Sequence, residues 1–127
     1  MQPRTRDLFS DALAACDYIS ATIDGVSAAG YVRDEDTRII VERKLIVIGE
    51  AFVRVRERDP EAFSLIEDAR PAIALRNIIV HDYNNIDDGR ILLIVTELPP
   101  ILRDSIVGTL SGAEGDPLKD GEGACCE

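Results

Sequence analysis

The chain contains a single histidine, His81, set in the stretch RNIIVHDYNN at residues 76–85. Arg76, Asn77, His81 and Tyr83 surround an apolar Ile-Ile-Val there. An imidazole both takes and gives protons near neutral pH. It can accept the proton of a ribose 2′-hydroxyl, whose oxygen then attacks the adjacent phosphorus. A guanidinium stays charged and offers a planar fork of donors to phosphate oxygens as their charge grows. Histidine with arginine therefore suits RNA cleavage without a metal or any other cofactor. The products would carry a cyclic phosphate on one side and a free 5′-hydroxyl on the other.

Spacing sets what one copy of the segment can do. If residues 76–81 are helical, Asn77 and His81 lie one turn apart on one face. The amide can then hold one ring nitrogen and fix the tautomer that the other presents. Arg76 and Tyr83 are two turns apart and would align if the helix continued. Arg76 and His81, five apart, sit about 140° from each other around the axis and do not meet in one straight helix. One copy makes an incomplete site, which a two-fold dimer would complete by pairing this helix with its twin. Each residue also has an ordinary structural use. A histidine near a helix C-terminus favours the dipole, an arginine pairs with a carboxylate, and a tyrosine fills a core with its hydroxyl satisfied. Spacing alone leaves these alternatives open.

Other chemistries lack their parts. The glycines of DGEGACCE precede no helix and make no phosphate loop. No serine occupies a nucleophile-elbow context. One histidine per chain cannot supply the paired Glu-x-x-His of a di-iron bundle, and no metal-ligand spacing occurs. Glu42 and Glu50 are eight apart, and pairing with Arg38 or Arg54 is expected of them.

The elements that must position the motif read as helices. Leu8, Phe9, Ala12, Leu13, Cys16, Ile19 and Ile23 mark one apolar face over Thr5 to Asp24, ended by Gly25. A short linker containing Gly30 follows. A second helix starts near Asp34 or Asp36, where early acids favour an N-terminus, and stops at Asp59-Pro60. Val41, Leu45, Ile48, Phe52 and Val55 form its seam. LIVIG, residues 45–49, is apolar on nearly every side and asks for two buried contacts, the second supplied by another subunit. PEAFSLIEDA predicts a short helix with Pro60 in its first turn. RPAIALRNIIVH predicts another, with Ile73, Leu75, Ile78 and Ile79 inward. DYNNIDDG is loop-like. The last helix runs from Asp87 or Asp88 to Leu110 on Ile91, Ile94, Leu98, Ile101 and Leu102, kinked or broken at Pro99 and Pro100. No strand and no repeat is evident. The expected architecture is an all-α, antiparallel four-helix up-and-down bundle with a short extra helix, forming a homodimer. It spans residues 1–110, with an acidic, Gly-rich disordered tail over 111–127.

Composition narrows the setting. The chain has 127 residues, a one-domain length, with 46% hydrophobic and 30% charged residues. No apolar run approaches the ~18 residues of a membrane span, and MQPRTRDLFSD holds no secretory h-region. A cytoplasmic location is expected. Cys16 reads as a small core residue; Cys125 and Cys126 are adjacent in the tail, where they seldom pair with each other. Of the net charge of −10, the tail carries −4. So acidic a chain gives no support for strong non-specific nucleic-acid binding. Yet residues 38–58 hold six bases against three acids. That stretch is either a local basic face or solvated helix surface with pairs such as Arg38–Glu42.

RNIIVHDY resembles the R-x4-H-x-Y signature of the HepT-like toxins of the HEPN superfamily. RIIVERKLIVIGEAFVRV, residues 38–55, is similar to that family's second helix with its IIGEA-like block. YNNID and VTELPPIL follow the same pattern, and the likeness covers roughly residues 5–110. The resemblance implies a homodimeric helical bundle, with higher oligomers open, and paired motifs at an inter-subunit cleft. It implies a metal-independent endoribonuclease toxin acting on RNA. Arg76 and His81 match the catalytic pair, and Asn77 the polar residue that supports it. Tyr83 matches the tyrosine to which a nucleotidyltransferase antitoxin transfers AMP. Phosphates so close to His81 would compete with RNA for the same arginines. Two positions depart from the pattern. Asp82 stands where a glycine is frequent, and ARPAIAL lacks the tryptophan often found before the arginine. Asp82 would set a carboxylate beside His81 and repel RNA. The alternative reading is a non-catalytic dimeric module that presents substrate to, or regulates, its nucleotidyltransferase.

Overall fold

The computed structural model describes residues 1–115, with side chains to residue 112. Every element among them is helical: α1 (Pro3–Ile23), α2 (Ala28–Arg33), α3 (Glu35–Arg58), α4 (Pro60–Phe63), α5 (Ala69–His81) and α6 (Asp88–Gly115), with a 3-10 turn at Tyr83–Asn85. No described helix is long and apolar enough to cross a membrane.

Local chemistry fixes the ends. Gly25, at φ +74°, takes the left-handed conformation that closes α1. Asp34 caps α3, accepting from the Thr37 amide at 3.2 Å and the Thr37 hydroxyl at 2.9 Å. These bonds hold its carboxyl below the usual range. Glu35 and Asp36 lie in the first turn of α3, Arg56 and Arg58 in the last, each favourable to the helix dipole. Asp59 ends α3 and caps α4 through the Ala62 amide at 3.2 Å. Asp87 accepts from the Arg90 amide at 3.1 Å, so α6 begins with a side-chain cap after the motif loop.

Packing follows the expected periodicity. Leu8, Phe9, Ala12, Cys16 and Ile19 of α1 meet Val41, Leu45, Ile48, Phe52 and Val55 of α3, all nearly inaccessible. Each large side chain so buried contributes roughly 1.5–3 kcal/mol. Phe9 and Phe52 pack edge to face at 6.5 Å, and the Lys44 ammonium lies 4.5 Å from the Tyr18 ring centre. Position 9 facing 52 while 18 faces 44 makes α1 and α3 antiparallel. The other face of α1 takes α6, and the other flank of α3 takes α5. Burial also pushes the Cys16 thiol up to about 12, in keeping with a core residue.

Several expectations are corrected. The Gly30 linker is itself helical: Ser27 caps it by accepting from the Gly30 amide at 3.0 Å, and Tyr31 is completely buried. Six helical residues are too few to show periodicity. Of the kink or break expected at Pro99 and Pro100, the break does not occur. Pro99 is itself core, beside Leu98 and Leu102, so burial offsets the missing amide donors. The buried face of α6 runs through Ile91, Leu92, Val95, Leu98, Leu102 and Ile106, leaving Ile101 exposed. Ile78 is exposed rather than inward. Helix α6 continues five residues past Leu110. The rest of the expected tail, with Cys125 and Cys126, lies outside the described residues. Arg38 does not pair with Glu42; it reaches the Val32 carbonyl and, at 3.5 Å, Asp88. That contact ties α2, α3 and the first turn of α6 together.

Candidate functional site

Helix α5 carries the motif, and Gly49 of α3 decides how closely it approaches. A Cβ at position 49 would lie 2.3 Å from the Arg76 Cβ and 2.6 Å from its Cγ. Only a glycine lets the arginine stem lie against the backbone of α3. The head of Arg76 then reaches the next residue. Its Nη2 donates to Glu50 Oε2 at 2.7 Å, and its Nη1 donates to Asn77 Oδ1 at 2.7 Å. The Nε is buried with no acceptor among the described residues. The guanidinium is thus tethered by both terminal nitrogens while its side chain stays 20% exposed.

The carboxylate partner differs from the expected one. Glu50 pairs with Arg76 across α3 and α5, not with Arg54 along its own helix. Two turns before Glu50 and one turn after it, Arg43 and Arg54 line an open groove of about 290 Å³ together with Glu50, Val47 and Asp11. Neither has a carboxylate within ion-pair distance among the described residues. Arg43 and Arg54 share that groove with two acids, Asp11 and Glu50, so of the two readings of this stretch the geometry selects neither a basic face nor paired helix surface.

His81 is the last residue of α5 and is exposed, with no hydrogen bond to its ring among the described residues. Asn77 accepts from Arg76, and no hydrogen bond joins it to the imidazole among the described residues. Asp82 closes the helix, its amide donating to the Ile78 carbonyl at 2.9 Å. Its carboxylate accepts from the side-chain Nδ2 of Asn85 at 2.6 Å, across the 3-10 turn. The unexpected acid thus has a structural use in shaping this turn. Tyr83, in the same turn, is 62% exposed, which removes the core alternative for it. Ile78 and Val80 flank His81 with 48% and 43% of their surface open.

In one protomer, then, Arg76 and His81 share a helix, and no hydrogen bond joins them among the described residues. Arg76 is turned onto α3, whereas His81 stands at the free end. Glu50 and Gly49 are the residues that sequence reasoning missed; their only signal was the IGEA block. A cavity of about 590 Å³ lies away from the motif, and Asp59, Glu61 and Asp104 on its wall suit no phosphate. No group of three or more His, Cys, Asp or Glu side chains placed to hold a metal occurs among the described residues.

The family described as "Ribonuclease HepT-like" matches residues 12–107, from α1 through most of α6. No curated protein and no solved structure matches the chain.

Proposed function

The chain belongs to the HepT-like ribonuclease family, and from that premise we propose that it is a homodimeric, metal-independent RNA endonuclease and the toxin of a toxin–antitoxin pair. The observation that carries the reading is the division of the motif: an Arg76 tethered to α3 and an exposed His81 at the end of the same helix.

The two-fold pairing of α5 with its twin in a four-helix bundle dimer supplies what one protomer lacks. Ile78 and Val80, half exposed beside His81, give that contact its apolar surface. Each working pair then joins Arg76 of one protomer to the imidazole of the other. The imidazole takes the ribose 2′-hydroxyl proton, and the freed oxygen attacks phosphorus. The 5′-oxygen leaves with a proton returned by the imidazolium. Arg76 binds the phosphate oxygens as negative charge accumulates. Arg43 and Arg54 add local attraction for RNA on a chain whose net charge is −10.

Tyr83 is the regulated residue. Its exposed hydroxyl is accessible to a nucleotidyltransferase partner. The phenol oxygen would attack the α-phosphorus of ATP, forming Tyr-AMP and releasing pyrophosphate. The added phosphate, two residues from His81, would occupy the site meant for RNA.

Incubation with RNA in EDTA tests the activity. Wild type should cut, and His81→Ala and Arg76→Ala should each lose about 10²- to 10⁴-fold in rate. No cleavage by unmodified wild type would instead favour the non-catalytic presenting module. Mass analysis after co-expression with the partner tests the regulation. Tyr83 should carry AMP; full neutralisation of an unmodified Tyr83 removes that part.

A further inference from the structure

We infer that Glu50 is a positioning residue of the cleavage site, acting through Arg76, with Gly49 opening the space in which it does so. This rests on the nuclease reading of Arg76.

The Glu50–Arg76 pair is poorly placed to serve stability. The Glu50 side chain is 43% exposed and that of Arg76 20%, and an ion pair open to water on its acid side contributes modestly to folding. Its geometry is nevertheless tightly defined. Gly49 admits the Arg76 stem, Glu50 holds Nη2 at 2.7 Å, and Asn77 holds Nη1 at 2.7 Å. A guanidinium has five N–H donors. With Nε buried and one hydrogen of each terminal nitrogen engaged, one donor on Nη1 and one on Nη2 remain for a phosphate.

A flexible arginine would have to be ordered at the moment of reaction, and here that cost is met in the resting protein. Glu50 also opposes the substrate, since its charge competes with phosphate for the same cation. Its removal should therefore weaken the chemical step without weakening binding. A purely structural acid would not produce that split.

The test compares Glu50→Ala and Glu50→Gln with wild type by RNA cleavage and by ¹⁵N NMR of the arginine side chains. Glu50→Gln keeps an acceptor oxygen and drops the charge. For Glu50→Ala, kcat should fall about 10²-fold, with KM unchanged or lower. Glu50→Gln should recover kcat to within about tenfold of wild type, because one hydrogen bond survives. Glu57→Ala, on an exposed side chain of the same helix, should change neither constant. The NMR arm needs no activity: hindered rotation of the Arg76 guanidinium should be visible in wild type and lost in Glu50→Ala. The inference is overturned if Glu50→Ala keeps its kcat, raises KM alone, or becomes more active. It is also overturned if a protein that cuts RNA shows a freely rotating Arg76 from the start. A hindered Arg76 in wild type that cuts no RNA overturns the nuclease reading instead, and with it the catalytic purpose of the hold.

Discussion

The two ends of the motif helix are built on opposite plans. At Arg76, α5 lies so close to α3 that Gly49 must lack a side chain, and two acceptors hold the guanidinium. At His81 the helix has run past its support, the ring is exposed, and a turn begins. One half of the site is finished by the fold of a single chain. The other half is presented outward, with Ile78, Val80 and Tyr83 as its open neighbours. If Arg76 and His81 act as proposed, the difference teaches that the protomer prepares the charge-stabilising group and leaves the proton-transfer group to be located by assembly.

The sharpest way to break the contrast is at its rigid end. Gly49→Ala puts a methyl where the Arg76 stem lies. Neither backbone can give way cheaply, so α5 must shift from α3. Overpacking of this kind costs about 1–3 kcal/mol, seen as a thermal midpoint lowered by several degrees. Cleavage should fall as far as it does in Arg76→Ala.

At the open end, Val80→Asp should do the reverse. The side chain is 43% exposed in the protomer, so folding should change by only about 0.5 kcal/mol. Sedimentation should nevertheless show monomers, and cleavage should vanish with the dimer. A stable, fully active Val80→Asp dimer would place the subunit contact elsewhere.

Asp82→Ala sharpens the contrast more gently. It removes an acid beside His81 and the bond to Asn85 at 2.6 Å. RNA should bind a few-fold more tightly at low salt, an advantage that screening erases at high salt. The rate of the chemical step should not improve, because the turn after His81 loses its clasp.

The smallest effect lies away from the motif, where Arg38 joins α3 to Asp88 of α6. Burial pushes the nearby Glu42 carboxyl up, the Asp88 charge adds to it, and Arg38 opposes both. A carboxyl raised in the folded state gives stability that is present below its unfolded value and lost as pH rises through the folded one. Glu42→Gln should therefore be slightly more stable than wild type at neutral pH and no better in acid, as urea unfolding at the two pH values would report.

Much of the fold was legible because long amphipathic helices announce themselves. The α1 and α3 seams were read residue by residue, as was the stop at Asp59-Pro60. What escaped depends on contacts distant in sequence. Helix α2 is too short to show a period. The inner face of α6 is set by which neighbour covers it, so Ile101 reads like Leu102 in sequence yet lies outside. The site followed the same rule. Arg76, Asn77, His81 and Tyr83 were visible as residue types on one segment. The hold on Arg76 was not, because Glu50 lies 26 positions away, and pairs within one helix are the ones that sequence suggests.

Mixed dimers test the central claim most directly. Arg76→Ala and His81→Ala chains, each carrying a different affinity tag, would be co-expressed and the heterodimer isolated. If each working pair takes its guanidinium from one protomer and its imidazole from the other, one of the two sites is intact. The heterodimer should then recover about half of wild-type cleavage, although both homodimers are inactive. A heterodimer as inactive as its parents would mean that Arg76 and His81 act within one chain, contrary to the divided site described here.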